Sequence, residues 1–511
     1  MKSKIWIFAI AALLAIAGTA IAECAEMTGD GKVDLFDLVF VALRVGNPAG
    51  DPADIFGNDG VNIQDLQEVA KQFGQECTRQ PAEGFTQVNL KQLPYSMENT
   101  ELLKSATFYN ATSTATENIF FTQFPNSKIS RTSLFEYYLG ESTDTASFIN
   151  GLNNSKQTLQ KLADQSSALV VVIAKMPLWL SSSQDTGPVS SGNWKVYNTH
   201  SPKDFNQWKE TIKAGVSWFK QFNKPVYYEV WNEPDFDFFW SEDTNSLLRL
   251  YKETALAVKE ADTEAKVGGL AVNGWNGKID SQSQAANIEL IRFAKKEGIP
   301  LDFVSWHYFS TRSQDINSAM QALLAELRAQ GFSQTPEFLI TEWNNPKAVR
   351  VSNLAPAILA DTLIVLDYSG INGHTYSAFQ DFSTIQDNSD YGLVKKNGTI
   401  KPVFYVFKAF DAMAQNTQGI YFQLSADNVQ RTLVSKKANG CFDILFWDLN
   451  AAALESTEPK TYKLEFDGNI SSASGFSVKG SFQQKQPLVS GSRLTFNTEI
   501  NSFNAISVCL E

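Results

Sequence analysis

Two glutamates follow apolar runs in this sequence and can form a catalytic pair. Glu233 follows the run in YYEVWNEP, and Glu342 ends the run in FLITEW. A carboxylate in such a position is costly to bury unless it has a partner or a task. Two opposed carboxylates suit glycosidic cleavage, in which one donates a proton and the other attacks the anomeric carbon. The alternative is that each glutamate caps the following helix or pairs with an arginine.

The elements around these glutamates alternate in type from residue 100 to 415. Short β-branched or aromatic runs are separated by amphipathic helical stretches, which predicts a parallel sheet with helices outside it. Seven visible strands over about 300 residues favour a (β/α)8 TIM barrel over an open sheet. The first strand is the least clear, and ENIFFTQF or residues 106–110 are its candidates. The other strand candidates are SKISRTSLF, ALVVVIAKM, VYYEVWN, KVGGLAV, LDFVSWHYF, EFLITEWN and INGHTYSAF.

The spacing of the two glutamates fits opposite positions at the mouth of a barrel. At roughly 31–40 residues per βα unit, they are about three units apart. If Glu233 ends strand four, Glu342 ends strand seven, and the two side chains face each other. Side chains at the carboxyl ends of barrel strands form the site in enzymes with this fold.

The C-terminal region, residues 416–511, shows a different pattern. Short alternating strands follow one another without a helical period, which predicts an antiparallel β-sandwich. The segment FTQVNL, within a linker of residues 79–99, is expected to add a strand to this sandwich.

Residues 1–22 have the pattern of a secretory signal peptide. Lys2 and Lys4 precede an apolar run that ends in Ala20-Ile21-Ala22, an A-x-A cleavage signal. Export is therefore the prediction, and an uncleaved N-terminal membrane anchor is the alternative.

The four cysteines fall into two neighbourhoods. An even count in an exported protein favours disulfides. Pairing of neighbours would give Cys24–Cys77 and Cys441–Cys509, each closing one terminal module. Unpaired buried thiols are the alternative.

Composition and missing motifs exclude several function classes. The net charge is −12 and no cluster of Lys and Arg stands out, so a nucleic-acid partner is not expected. The sequence has three histidines and contains no HExxH, CxxC or GxSxG, which disfavours zinc-hydrolase, thiol-redox and esterase chemistry.

The N-terminal module, residues 23–78, contains two copies of an acidic loop followed by an amphipathic helix. Acidic and amide oxygens at alternating positions of a Gly-containing loop are typical of calcium sites. This duplication resembles the dockerin repeat, a calcium-folded module that docks onto a cohesin. The resemblance implies a cohesin-type protein partner, and solvated turns that cap helices are the alternative. The candidate Ca²⁺ ligands are Glu26, Thr28, Asp30, Asp34 and Asp37 in the first loop, and Asp54, Asn58, Asn62 and Asp65 in the second.

The central region resembles the retaining clan A glycoside hydrolases. The motifs WNEP and TEW occur in the order of that clan, and the surrounding text is most similar to glycoside hydrolase family 39, the β-xylosidase and α-L-iduronidase family. The similarity covers roughly 300 residues and leaves the dockerin-like module outside. The supporting segments are KMPLWLS, YYEVWNEPDFDFFW, DFVSWHYF, FLITEWN and YGLVKKNGTIKPVFYVFKAF.

The resemblance implies a role for individual residues. Glu233 would be the general acid/base, Glu342 the nucleophile, and Asn232 a ligand of the sugar 2-hydroxyl. His307 would lie near the acid/base or a sugar hydroxyl, with a buried barrel histidine as the alternative. Arg131 would hold the nucleophile ionised, since an adjacent cation favours a charged carboxylate.

Three aromatic residues near strand ends have two interpretations. They can stack on sugar faces or belong to the barrel core, and the sequence does not separate the two. These residues are Trp179, Trp343 and Tyr376.

The expected protein is an exported retaining O-glycosidase that acts on an oligo- or polysaccharide. By family resemblance the leading substrate is a β-xyloside or xylan fragment. Catalysis needs no cofactor, and the negative nucleophile is expected to keep a proton on Glu233. The alternatives are a non-catalytic carbohydrate-binding protein with a degenerate barrel, and a calcium-dependent scaffold or adhesion protein.

Overall fold

The computed structural model divides the chain into two compact units, Glu101–Lys408 and Met1–Thr100 with Ala409–Glu511. No helix among the described residues is long and apolar enough to cross a membrane. Residues 1–22, the predicted signal peptide, lie outside these residues. The structure describes residues 41, 61–72, 86–87, 114–124, 127–135, 142–183, 199–280, 284–311, 313–381, 391–414, 417–424, 430–437, 439–449, 458–466 and 468–511.

Two elements precede the barrel. Helix α1 spans Ile63–Gln72, where the second acidic loop is predicted to run into a helix, and strand β1 spans Thr86–Gln87. In α1, Val69 and Gln72 are buried with Asp65 and Glu68, so one face of the helix is covered.

The unit Glu101–Lys408 contains a seven-stranded parallel sheet in which each strand pairs with the next one along the chain. The outer strands β2 and β8 lie against each other, so the sheet is nearly closed. Gly373 of β8 makes room for this approach, because a Cβ there would lie 2.3 Å from Ile129 Cδ1 of β2. All seven visible strands of the sequence prediction are confirmed. They are β2 Ser127–Ser133, β3 Ser166–Ile173, β4 Val226–Val230, β5 Lys266–Val272, β6 Phe303–Tyr308, β7 Glu337–Trp343 and β8 Gly373–Tyr376.

These strands form because they are apolar on both faces. Val170, Val171 and Val172 of β3 are all buried, as expected of a parallel strand covered by helices outside and by other strands inside. Side chains of β2, β3, β6 and β7 meet in one core cluster that includes Ile129 and Phe303.

The prediction that ENIFFTQF forms a strand is wrong. This segment lies mainly in helix α2, Thr114–Gln123. Phe120 and Phe124, four residues apart, are both buried and pack against Phe379 with ring centroids 5.0 and 6.1 Å away. The aromatic run therefore follows the period of a helix and not of a strand. The other candidate for the first strand, residues 106–110, lies outside the described residues.

Helices follow the strands as expected of a βα barrel. Asp144, Asp204 and Asp243 cap α3, α5 and α6 by accepting backbone N–H groups of the first turn. The helices are α3 Thr145–Asn154, α4 Lys156–Gln165, α5 Phe205–Phe219, α6 Thr244–Ala261, α7 Ala286–Glu297, α8 Ser313–Ala329, α9 Lys347–Arg350, α10 Ala355–Tyr368 and α11 Pro402–Ala414.

The C-terminal strands form two sheets, with orders β14-β13-β17-β11-β10-β9 and β1-β12-β16-β15. Inner-face residues of both sheets, such as Phe446 and Phe496, share one core cluster, as in a β-sandwich. Strand β1 pairs in parallel with β12. The strands are β9 Thr417–Leu424, β10 Gln430–Lys437, β11 Cys441–Asp448, β12 Pro459–Glu465, β13 Ile470–Val478, β14 Phe482–Lys485, β15 Leu488–Ser490, β16 Arg493–Glu499 and β17 Phe503–Leu510.

The disulfide prediction holds where the structure describes it. Cys441 and Cys509 are register partners on β11 and β17 and form a disulfide. The other predicted pair, Cys24 with Cys77, lies outside the described residues.

Candidate active site

Four side chains of the predicted site converge at the carboxyl ends of the barrel strands. Arg131 lies on β2, His307 on β6 and Glu342 on β7, while Glu233 lies in the turn that follows β4. His307 and Glu342 are direct neighbours in the register of β6 and β7. Since His307 also contacts Glu233, the fold brings the two distant glutamates to one place.

Arg131 connects the two halves of the site. Its Nε and Nη2 donate to Glu229 Oε2 at 2.8 and 2.6 Å, and its Nη1 bonds to Glu342 Oε1. Nη2 also donates to Asn232 Oδ1 at 2.7 Å. The planar guanidinium thus fixes Glu342 and the residue that precedes Glu233.

The carboxylates in this network differ in exposure. The side chains of Arg131 and Glu229 are 0% exposed, whereas those of Glu233 and Glu342 are 14% and 12% exposed. Only Glu233 and Glu342 can therefore contact a ligand without a rearrangement. Glu229 serves as the buried counter-ion of Arg131, and its Oε1 has no hydrogen-bond partner.

Glu233 is held at one carboxylate oxygen and at its backbone. Its Oε1 lies 2.8 Å from the donor Asn273 Nδ2 and 2.9 Å from His307 Nδ1. Its backbone N–H donates to Ala271 O at 2.9 Å, which ties the turn after β4 to strand β5.

The turn that carries Glu233 has an unusual backbone. Trp231 and Glu233 have φ values of 73° and 48°, in the left-handed region that costs a non-glycine residue roughly 1–3 kcal/mol. Packing holds Trp231 in this conformation: its ring lies 4.9 Å from that of Trp240, and its Nε1 donates to Phe239 O at 3.0 Å. The turn is therefore fixed by buried aromatic contacts rather than by local preference.

The contact between Glu233 and His307 shifts the pKa of both groups in a way that the sequence does not predict. Burial raises the pKa of Glu233, but the hydrogen bond and charge of His307 and the Asn273 amide outweigh it and lower the pKa. Burial lowers the pKa of His307, but the charges of Glu342 and Glu233 outweigh it and raise the pKa. The ligand-free site therefore favours an imidazolium beside a carboxylate, in contrast to the expectation of a protonated Glu233.

A family match covers three of the four converging side chains, Glu233, His307 and Glu342. Residues 171–461 match the family described as Glycosyl hydrolases family 39. The chain belongs to glycosyl hydrolase family 39.

The relatives of this family 39 chain are distant. It is 27% identical over 258 residues to a β-xylosidase of Caldicellulosiruptor saccharolyticus, across 44% of this chain and 51% of that protein. It is 26% identical over 303 residues to a β-xylosidase of Geobacillus stearothermophilus, across 51% and 56%. The chain thus spans about half the length of these curated relatives. A solved family 39 β-xylosidase from Caulobacter crescentus shares the fold, with a TM-score of 0.57, 18% identity and coverage of 79% and 96%.

Two of the three aromatic candidates belong to the core of the family 39 barrel. Trp343 is fully buried and donates to His374 Nδ1 at 2.9 Å, where burial lowers the pKa of His374 to about 3 and keeps the ring neutral. Tyr376 is buried against Trp343 and donates to Asn344 Oδ1 at 3.1 Å. These rings have no exposed face for a sugar, so the core interpretation is favoured over the sugar-stacking one.

Trp179 differs from these two residues. It lies in the turn after β3 and is partly exposed, and its Nε1 is enclosed with no hydrogen-bond partner among the residues that the structure describes. It stays a candidate for sugar contact.

Sequence reasoning missed three polar residues of the site. Glu229 is the charged residue within β4, Asn273 directly follows β5, and Asp235 lies two residues after Glu233. Asp235 accepts the backbone N–H of Asn273 at 2.9 and 3.2 Å. The strand-end rule that found Glu233 would also have found Asn273.

Two of the nine predicted calcium ligands lie in described residues. Asn62 Oδ1 accepts the backbone N–H of Gln64 at 2.7 Å, and Asp65 Oδ2 accepts that of Asn62 at 2.8 Å, so both cap the start of α1. The described residues hold no group of three or more His, Cys, Asp or Glu that could bind a metal. The remaining seven predicted ligands, Glu26, Thr28, Asp30, Asp34, Asp37, Asp54 and Asn58, lie outside them.

Proposed function

We propose that this protein is a glycosidase that cleaves β-glycosidic bonds by double displacement, with Glu342 as nucleophile and Glu233 as general acid/base. The observation that carries the proposal is the shared network of the two glutamates. Arg131 bonds to Glu342 and to Asn232, and His307 contacts Glu233 while it lies in register with Glu342. Membership of family 39 supports the same assignment.

The first step starts from the form in which Glu233 carries a proton, and the oxygen of the leaving group takes that proton. A carboxylate oxygen of Glu342 attacks the anomeric carbon, the bond to the leaving group breaks, and a glycosyl ester forms on Glu342. In the second step, Glu233 takes a proton from water, whose oxygen attacks the same carbon and releases Glu342. Two inversions give a product with retained configuration.

The neighbours of the glutamates suit these steps. Arg131 places a fixed positive charge beside Glu342 and orients it toward the mouth of the barrel. Because Arg131 holds Asn232 Oδ1, the amide NH₂ of Asn232 is left to bind a sugar hydroxyl. A contact to the 2-hydroxyl would strengthen as the sugar approaches an oxocarbenium ion.

A β-xyloside or xylan fragment is the proposed substrate, because both curated relatives are named β-xylosidases. Aryl glycosides of several sugars should be compared with xylan, glucan and mannan, and the anomer released first should be identified by NMR. Faster turnover of xylosides and a β-product from a β-substrate are expected. An inverted product would contradict double displacement.

The catalytic assignment is tested by Glu342→Ala. Loss of the attacking carboxylate should lower kcat by several orders of magnitude, since no ester can form. Glu337→Gln, a change at the opposite end of the same strand, is the matched control and should leave kcat within a few-fold. Undiminished sugar release by Glu342→Ala would refute the proposal and favour a non-catalytic or incidental role for the pair.

We further propose export and a dockerin-like N-terminal module. Support for export is the signal-like pattern of residues 1–22, and support for the module is the repeated loop and helix, of which α1 is one helix. A secreted chain that begins at Glu23 is the expected mature form, measured by N-terminal sequencing of the culture supernatant.

Calcium binding by this module is tested on the full chain. Isothermal titration with Ca²⁺, with Mg²⁺ as control, should show binding that Asp30→Ala and Asp34→Ala weaken. Capture by a cohesin should then depend on Ca²⁺, while glycoside hydrolysis should not. Binding that is equal for both ions and unaffected by these changes would contradict the module.

A further inference from the structure

The hydrogen bonds of Glu233 fall on one of its two carboxylate oxygens. Asn273 Nδ2 lies 2.8 Å from Oε1 and His307 Nδ1 lies 2.9 Å from the same atom. An amide NH₂ can only donate, and the charges around His307 favour the form in which Nδ1 carries a proton. Two N–H groups directed at one oxygen leave it as an acceptor in both protonation states of Glu233.

We infer that Asn273 is a positioning residue which, with His307, fixes Glu233 Oε1 as an acceptor and leaves Oε2 as the oxygen that exchanges a proton with the substrate. This inference rests on the proposed function, in which Glu233 is the general acid/base. It assigns a task to a residue that lies on neither of the two catalytic strands, β4 and β7.

Asn273 is itself held in place. Both carboxylate oxygens of Asp235 accept its backbone N–H, at 2.9 and 3.2 Å. Gly277 lies close to this contact, since a Cβ there would be 2.3 Å from Asp235 Oδ2. The turn after β4 and the turn after β5 are thus linked twice, by Asn273 to Glu233 and by Asp235 to Asn273.

A position fixed in this way matters for proton transfer. General acid catalysis needs the donor within hydrogen-bond reach of the leaving oxygen, and a small displacement lowers its contribution. Rotation of the Glu233 carboxylate would place the proton on the oxygen that faces His307 and Asn273. The two hydrogen bonds from His307 and Asn273 prevent this rotation. With only one of them, the carboxylate could turn about the hydrogen bond that remains.

Charged groups from several surrounding elements face Glu233. They are His307 on β6, Arg131 on β2 and Asp235 in its own turn, while Glu342 on β7 acts on His307. Asn273 is the uncharged member, and its hydrogen bond lowers the pKa of Glu233. Removal of that hydrogen bond should therefore raise the pKa, and the basic limb of the pH profile should move to higher pH.

The test compares Asn273→Ala with the unaltered protein on β-xylosides whose leaving groups differ in acidity. A poor leaving group such as methanol or a second xylose needs the proton of Glu233, whereas 2,4-dinitrophenolate leaves without it. We expect kcat/KM to fall about tenfold for the poor leaving groups, as the loss of one net hydrogen bond would give, and less than about threefold for the dinitrophenyl substrate. The basic limb of the pH profile should move to higher pH.

Two further variants make the result decisive. Asn273→Asp keeps the size of the side chain but places a second negative charge beside Glu233, so the basic limb should move further up. Asn276→Ala changes an exposed residue of the same loop. It should alter neither the ratio of kcat/KM between good and poor leaving groups nor the pH profile.

The outcomes are distinguishable. An equal loss on all leaving groups with an unmoved basic limb would mean that Asn273 is only structural, and the inference would be wrong. If the unaltered protein hydrolyses none of the glycosides, the proposed function fails and this inference fails with it. A folded Asn273→Ala protein, checked by thermal unfolding, with unchanged kinetics would also overturn the inference.

Discussion

At the scale of the residue, Arg131 is the group whose loss should cost the most. Its guanidinium forms ion pairs with Glu229 and Glu342, and both Arg131 and Glu229 are fully buried. Removal of one member of a buried ion pair leaves an uncompensated charge and typically costs about 3–5 kcal/mol. We expect Arg131→Met to lower the free energy of unfolding by that amount, measured by denaturant titration.

A double variant separates the charge effect from the packing effect. Glu229→Gln combined with Arg131→Met removes one unpaired carboxylate and should recover part of the lost stability. Lys252→Met removes a surface pair with Glu297 and should change stability by less than about 1 kcal/mol. Equal stability of Arg131→Met and the unaltered protein would contradict the assigned role.

His307 should make the stability of the protein depend on pH. Its pKa is raised above the ordinary value of 6.5 by Glu342 and Glu233 against the effect of burial. A group with a raised folded-state pKa stabilises fully below its unfolded pKa, and this contribution is lost as the pH rises through the folded pKa. Relative to the unaltered protein, His307→Gln should therefore lower the free energy of unfolding most at pH 5 to 6, and less at pH 9.

The measurement is the free energy of unfolding of both proteins across that range. Asn276→Ala, which changes an exposed residue without a titratable group, is the control and should show a flat difference. A loss of unfolding free energy in His307→Gln that grows with pH would be the opposite of this expectation and would contradict the ion pair with Glu233.

Single residues of the site were predictable where position along a strand identifies them. Glu233 and Glu342 follow apolar runs, and family resemblance added Arg131 and His307. The second partner of Arg131 was not predictable, because Glu229 becomes its counter-ion only once β2 and β4 enclose the same interior. Burial also separates the interpretations of Trp343, since a core ring and a sugar platform have the same composition.

At the scale of the element, strand β5 controls the position of Glu233. Ala271 O of β5 accepts the Glu233 N–H, and Gly268 of the same strand approaches β6 so closely that a Cβ would lie 2.0 Å from Phe303 O. Gly268→Ala must displace one backbone from the other. We expect a loss of about 1–3 kcal/mol in stability and a lower kcat, because the Glu233 turn moves with β5.

Gly274→Ala is the matched control, since Gly274 lies in the loop after β5 and the nearest atom to its Cβ would be Asn276 Oδ1 at 3.7 Å. Thermal unfolding and hydrolysis should both be near those of the unaltered protein. A Gly268→Ala protein as stable and active as this control would show that β5 does not need the close approach.

The success of element prediction depended on burial. Residues 168–173 of β3 are apolar and buried, so such an interior strand is easy to find. β15 is exposed at all its residues, including Leu488 and Val489, and carries no inward pattern. ENIFFTQF was a candidate strand, but Phe120 of α2 and Phe124, which directly follows α2, both pack against the buried Phe379.

At the scale of the whole molecule, the proposed chemistry and the disulfide belong to different units. Every residue assigned to the glycosidase site lies within Glu101–Lys408, while Cys441 and Cys509 lie in the other unit. The domain order was visible in the sequence as a change from alternating helix and strand patterns to strands alone. The segment FTQVNL was expected to add a strand to the sandwich, and its residues Thr86–Gln87 form β1, which pairs in parallel with β12.

This division predicts that loss of the disulfide affects one unfolding transition. Cys441 and Cys509 close a loop with a sequence separation of 68, and the chain-entropy relation gives such a cross-link about 4 kcal/mol. We expect the double variant Cys441→Ser with Cys509→Ser to shift one calorimetric transition to lower temperature and to leave glycoside hydrolysis at 25 °C unchanged. A reducing agent should shift the same transition in the unaltered protein. Loss of hydrolysis together with the shifted transition would show that the two units do not unfold independently, because the site would then depend on residues beyond Glu101–Lys408.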